Sequence, residues 1–171
     1  MTGHRVLVVA CLALLVAAPV GLAQPPKPGP EFDILKKLEG TWDAVIKFGG
    51  QESKGTMTYK LGPGGRWMVS EFQGDFGGEK FEGKGLDGYN PLKKKYVSVW
   101  IDSMSPSPLV TEGTYDADTK TVTMEGEGPG QDGKPVKHKT VSTWKDDDTI
   151  VFTVSQGGDE AMLTITYKRR K

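Results

Sequence analysis

Gly40-Thr41-Trp42-Asp43-Ala44-Val45-Ile46-Lys47-Phe48, running into Gly49-Gly50, is the stretch that decides the fold. Trp42, Ala44, Ile46 and Phe48 alternate with Thr41, Asp43 and Lys47, the period of two that puts one face of a strand in a core and the other in water. The paired glycines then supply a turn. The same alternation returns at once: Met57, Tyr59 and Leu61 interleave with Thr56, Thr58 and Lys60.

Working outward, eight more runs read as strands: Arg66 to Gly74, Glu79 to Tyr89, Lys95 to Asp102, Leu109 to Tyr115, Lys120 to Glu127, Pro135 to Trp144, Thr149 to Ser155 and Ala161 to Arg169. Turn residues separate them, as at Asn90-Pro91, Asp116 to Thr119 and Gly128 to Gly133. Connections this short suit antiparallel neighbours, because a parallel crossover takes a dozen or more residues. A ten-strand antiparallel meander must split into two sheets or close on itself, and closure removes exposed edges. The expected fold is all-β: a single antiparallel up-and-down barrel of about ten strands, closed or nearly so. Gly83, Gly85 and Gly88 fall inside one strand, where glycine marks a bulge, a bend or a close approach, and a barrel corner is their expected use. Ahead of the first strand, Phe32, Leu35 and Leu38 sit at helical spacing among Glu31, Asp33, Lys36 and Lys37. This predicts one short N-terminal helix stopped by Gly40.

The chain of 171 residues opens with Arg5, an apolar run from Val6 to Ala18, and the small residues Gly21 and Ala23. That order is a secretory signal peptide with cleavage near Ala23. The run falls short of the about 20 residues a membrane span needs, so no integral span is expected after cleavage. The expected address is periplasmic or extracellular. Gln24 to Pro30 is proline-rich and reads as a stiff linker, so the expected division is 1–23 signal peptide, 24–30 linker and 31–171 barrel. The only cysteine, Cys11, and one of the two histidines leave with the signal peptide. The mature chain then has no disulfide, thiolate metal site or cysteine nucleophile. Its 22 basic and 22 acidic residues, less Arg5, give no electrostatic case for nucleic acid or an anionic membrane.

Two resemblances attach to these residues. Gly40-Thr41-Trp42, just after a short helix, resembles the Gly-x-Trp start of lipocalins and related calycin barrels. That resemblance implies that Trp42 closes one barrel end against a basic residue near the C-terminus, Arg169 or Arg170 in this chain. Leu38 to Trp42, Gly85-Leu86-Asp87-Gly88-Tyr89-Asn90, Tyr96 to Ser103, Gly113-Thr114-Tyr115-Asp116 and Tyr167-Lys168-Arg169, in that order, resemble the bacterial family of domains of unknown function numbered 1579. The resemblance implies a lipocalin-like barrel and carries no catalytic residue.

Familiar chemical motifs fail on context. Gly83-Lys84-Gly85-Leu86-Asp87-Gly88 fits the dinucleotide-binding string, yet strand residues follow where a helix must begin. Ser142-Thr143-Trp144-Lys145 lacks the partner motifs of a serine nucleophile. Aspartates 116, 118 and 146 to 148 lack the spacing of a calcium loop and read as hydrophilic turns. His138 alone cannot build a multi-histidine zinc site. It is a possible axial ligand if a haem entered the barrel, but flanking Lys137 and Lys139 favour a solvated strand histidine. No other cofactor and no metal is expected.

The most informative set is aromatic and acidic. Trp67 with Glu71, and Trp100 with Asp102, each share a strand face. If those faces point inward, they form the wall and the polar contacts of a pocket for a small apolar or amphipathic molecule, with His138 a further lining residue. Otherwise the tryptophans are core and the acids sit at a rim. The strand from Tyr96 to Asp102 is apolar on both faces, so its pattern leaves the inward face open. The leading expectation is a non-enzymatic exported binding barrel. A filled barrel serving as an interaction module of the cell envelope is the alternative, and a hydrolase using Glu71 and Asp102 as a carboxylate pair comes third.

Overall fold

The computed structural model describes residues 28–76, 78–130 and 133–171. The signal-peptide and cysteine readings, and most of the proline-rich linker, lie outside the described residues. Pro30–Phe32 forms a 3-10 turn that runs into a one-turn helix, Asp33–Lys36 (α1). Ten strands follow: β1 Gly40–Phe48, β2 Gln51–Leu61, β3 Trp67–Phe76, β4 Glu79–Asn90, β5 Lys95–Asp102, β6 Leu109–Asp116, β7 Thr121–Pro129, β8 Pro135–Asp146, β9 Thr149–Gln156 and β10 Ala161–Arg169.

Every strand pairs antiparallel with its sequence neighbours, and β1 also pairs with β10, so the sheet is a closed barrel. Trp42 joins the seam by lying opposite Met57 on one side and Arg169 on the other. At the first hairpin Gly49 (φ 56°) and Gly50 (φ 78°) both adopt left-handed backbone, the turn whose twist matches two antiparallel strands. Asp116 Oδ1 accepts hydrogen bonds from the backbone N–H groups of Asp118 and Thr119, which makes this aspartate cluster a turn.

One barrel end is closed by the N-terminal segment. Phe32, Ile34 and Leu35 are buried against Met68 and Tyr96, and Tyr96 donates its hydroxyl to the Glu31 carbonyl at 2.8 Å. Trp42 is fully buried, donates its indole N–H to the Leu38 carbonyl at 2.7 Å, and carries the Arg169 guanidinium 4.1 Å above its ring. Arg169 also donates to the carbonyls of Lys37 and Glu39, both at 2.6 Å. The cation–π contact adds about 0.5 to 2 kcal/mol. The two carbonyls at the end of the helical turn, which no further turn could satisfy, find their donor there.

Of the uses expected of the strand glycines, the structure shows the close approach and no bulge. Pairing runs without a shift from Gly83 through Gly88 on both sides of β4, and the register breaks fall instead at Trp144/Asp146 and Ala161/Leu163. Aromatic rings occupy the missing side-chain space: a Cβ on Gly83 would overlap the Trp100 ring, and one on Gly88 would overlap the Trp67 ring.

Candidate functional site: the barrel interior

Register decides which side chains enter the barrel, since paired residues share a face and the face alternates along each strand. From Trp42 the chain of partners runs to Met57, Phe72, Gly83 and Asp102. The inward phase of β5 is therefore Tyr96, Ser98, Trp100 and Asp102, the face that sequence pattern left open. Val97, Val99 and Ile101 face out, and Ile101 is 52% exposed.

The same register separates the predicted site residues. Trp67 and Glu71 lie on the outer phase of β3. Trp67 lies over Gly88, and Glu71 is ion-paired with its cross-strand partner Lys84 at 2.8 Å. Lys84 holds the Glu71 carboxyl below the usual carboxylate range. The inward reading of this pair is thus corrected: Met68 and Phe72, fully buried, take the inward positions beside them. Glu71 and Asp102 stand on opposite sides of the wall, so the carboxylate pair of the hydrolase reading is not assembled.

Trp100 and Asp102 do face inward, and they hold each other. Trp100 Nε1 donates to Asp102 Oδ2 at 3.0 Å, while Asp102 Oδ1 accepts the backbone N–H groups of Met104 and Ser105. This carboxylate anchors the turn after β5 and fixes the indole against Gly83 and Gly85.

His138 is also inward and buried, against the expectation of a solvated strand histidine. Pairing with Gly126 and Gln156 turns it to the interior, while Lys137 and Lys139 point to water. Its Nε2 lies 3.3 Å from the Pro129 carbonyl and 3.5 Å from the Gln156 amide nitrogen. Gln156 donates to the same carbonyl at 3.3 Å. Among the described residues no three His, Cys, Asp or Glu side chains converge as metal ligands.

Sequence reasoning missed the polar groups deeper inside. Asp87 faces inward from β4, opposite Met68 of β3 and Ser98 of β5. Burial pushes its carboxyl up to about 6, opposed by a hydrogen bond from Ser98. Tyr59 is raised well above the ordinary phenol range by burial, then by Tyr167 and Asp87, and burial raises Tyr167 as well. Both hydroxyls stay protonated at neutral pH. The Trp144 indole N–H is buried without a partner. A signal for Asp87 existed: it shares the phase of Gly83 and Gly85, while Leu86 takes the outer phase and is 37% exposed. An acid on the core phase beside a leucine on the solvent phase reverses the usual amphipathic order.

Packing inside is uneven. Trp42, Ala44, Ile46, Met57, Met68 and Phe72, on β1 to β3, are buried. Across the interior, the inward residues Ser98, Trp100, Thr140, Ser142, Phe152 and Val154, on β5, β8 and β9, are only half-buried, with Trp100 and Phe152 at the edge of that core. A side chain that points away from bulk water yet keeps accessible surface borders interior space.

The family model described as "Protein of unknown function (DUF1579)" matches residues 27–169. The chain belongs to this family. Among solved structures, Rv2717c from M. tuberculosis superposes with a TM-score of 0.62 at 14% identity, covering 84% of this chain and 99% of that one. That likeness shows a shared barrel fold. A redesigned β-barrel aligns with a TM-score of 0.44 at 18% identity, over 80% of this chain and 94% of the other. No curated protein matches the chain. Among the described residues no helix is long and apolar enough to cross a membrane.

Proposed function

We propose that this DUF1579 protein is an exported, non-enzymatic binding barrel that takes a small amphipathic molecule into its interior. One observation carries the reading: inward residues of β5, β8 and β9 keep accessible surface while those of β1 to β3 are packed. A ten-strand closed sheet encloses more room than the eight-strand barrels whose interior just fills with side chains. The lining supports an amphipathic occupant, because Trp100, Phe152 and Val154 offer apolar surface and Ser98, Thr140 and Ser142 offer polar atoms, the usual make-up of a small-molecule site. The address rests on the N-terminal sequence alone.

Trp100 makes the reading testable, since its indole lines the interior. Titration with a panel of fatty acids, aliphatic amines and small aromatics is expected to change tryptophan emission and raise the melting temperature for at least one class. Unchanged emission and melting temperature across the panel would overturn it. The outer wall gives one observation for the interaction-module reading: Leu86, Val99 and Val110 lie side by side across β4, β5 and β6, with Leu86 and Val110 exposed. Replacing Leu86 and Val110 by serine leaves interior binding intact on the first reading and removes the protein's function on the second.

A further inference from the structure

We propose that Asp87 is the counter-ion of a cationic ligand, so that the interior takes a small amphipathic amine with its ammonium against Asp87 and Ser98 and its apolar body against Trp100 and Phe152. The inference rests on the interior-binding reading above and names the ligand class for that site.

The argument begins with where the carboxylate stands. Asp87 is on the inward phase of β4 and half-buried, on the same side of the sheet as Ser98 and Trp100. Among the described residues no cation acts on its carboxyl, whose only resolved influences are burial and the Ser98 hydroxyl. β3 presents Met68 and Ser70, β5 presents Ser98 and Trp100, β2 presents Tyr59 and β10 presents Tyr167. Tyr89 and Tyr96 are the next inward residues toward the closed end and face each other with ring centroids 5.2 Å apart. The one arginine on the inward phase of β10, Arg169, is committed to Trp42, three backbone carbonyls and Asp148. His138 is held by Pro129.

A buried carboxylate normally comes with a cationic partner, because leaving it without one costs several kcal/mol. Asp87 has only a hydroxyl from Ser98 and, beyond it, two phenols. It still ionises near neutral pH, since burial raises its carboxyl no further than about 6. The charge that would complete this pair belongs to whatever occupies the space beside it.

Chemistry then selects among occupants. A carboxylate ligand would bring a like charge to Asp87. A neutral alcohol gives one hydrogen bond and no ion pair. An ammonium donates to the Asp87 carboxylate and to the Ser98 hydroxyl, and it gains cation–π attraction from aromatic faces such as Trp100 next to that pair.

The experiment compares hexylamine, hexan-1-ol and hexanoate by calorimetry on the wild-type protein and on Asp87→Asn. At about pH 7.5 hexylamine is expected to bind about tenfold or more tightly than hexan-1-ol, with hexanoate weakest. In Asp87→Asn the amine falls to the level of the alcohol while the alcohol changes by less than about twofold. In the wild type the amine preference shrinks as the pH drops to about 5, where Asp87 takes up a proton, and this arm needs no variant. Equal binding of all three probes, or an amine affinity untouched by Asp87→Asn, overturns the inference and leaves the binding barrel standing. Absence of binding by every probe to both proteins overturns both.

Discussion

Replacing Asp87 with asparagine removes a charge that folding buries, and the consequence for stability has a definite pH signature. The ordinary aspartate value is 3.8, and in the folded protein burial raises it to about 6. Between those values the folded state holds a proton that the unfolded state has released, so wild-type stability falls as pH rises through this window and levels off above it. At about 1.4 kcal/mol per unit the full cost is about 3 kcal/mol. Asp87 is only half-buried as a residue, and the dielectric screening this implies lowers the figure to about 1 to 3 kcal/mol. Asparagine keeps the shape and stays neutral. Urea unfolding followed by tryptophan emission, at about pH 5 and about pH 7.5 without ligand, is expected to show Asp87→Asn gaining about 1 kcal/mol on the wild type between the two conditions. A difference that stays flat with pH, or moves the other way, would refute the placement of a desolvated carboxylate in the barrel.

Two glycine substitutions rank the rigidity of the wall. A Cβ at Gly83 overlaps only the Trp100 ring, which can swing and lose its bond to Asp102, so Gly83→Ala should cost about 1 to 3 kcal/mol and shift tryptophan emission. A Cβ at Gly113 overlaps the backbone of Thr123 and Met124, which cannot yield, so Gly113→Ala should unfold at lower denaturant than Gly83→Ala; the reverse order contradicts the register. Arg169→Ala strips the cover from Trp42 and the donors from two carbonyls, for an expected loss of about 1 to 3 kcal/mol and faster hydrogen exchange across residues 35–42. Glu71→Gln breaks only an exposed ion pair on the outer wall, so denaturation midpoint and amine binding should both stay at wild-type values.

The sequence by itself determined the fold and its closed end. Alternation and turn chemistry place ten strands, and two of them, Lys95–Asp102 and Ala161–Arg169, begin and end where pattern put them. Through its resemblance to the start of lipocalin barrels, Gly40-Thr41-Trp42 marked the residue that Arg169 covers. These features are local or periodic, and a period of two survives in a linear string. Only the tertiary structure decided which face of β5 looks inward, because a strand apolar on both faces has no phase of its own and takes one from its neighbours. The same register put Glu71 outside and Asp87 inside, although both are acids in strands four or fewer residues from a tryptophan or glycine. His138 shows the point most directly: flanking lysines describe the outer phase of its strand, while its own phase is set by pairing with Gly126 and Gln156. Facing is a property of closure, fixed only when β1 meets β10 and the interior becomes distinct from the outside.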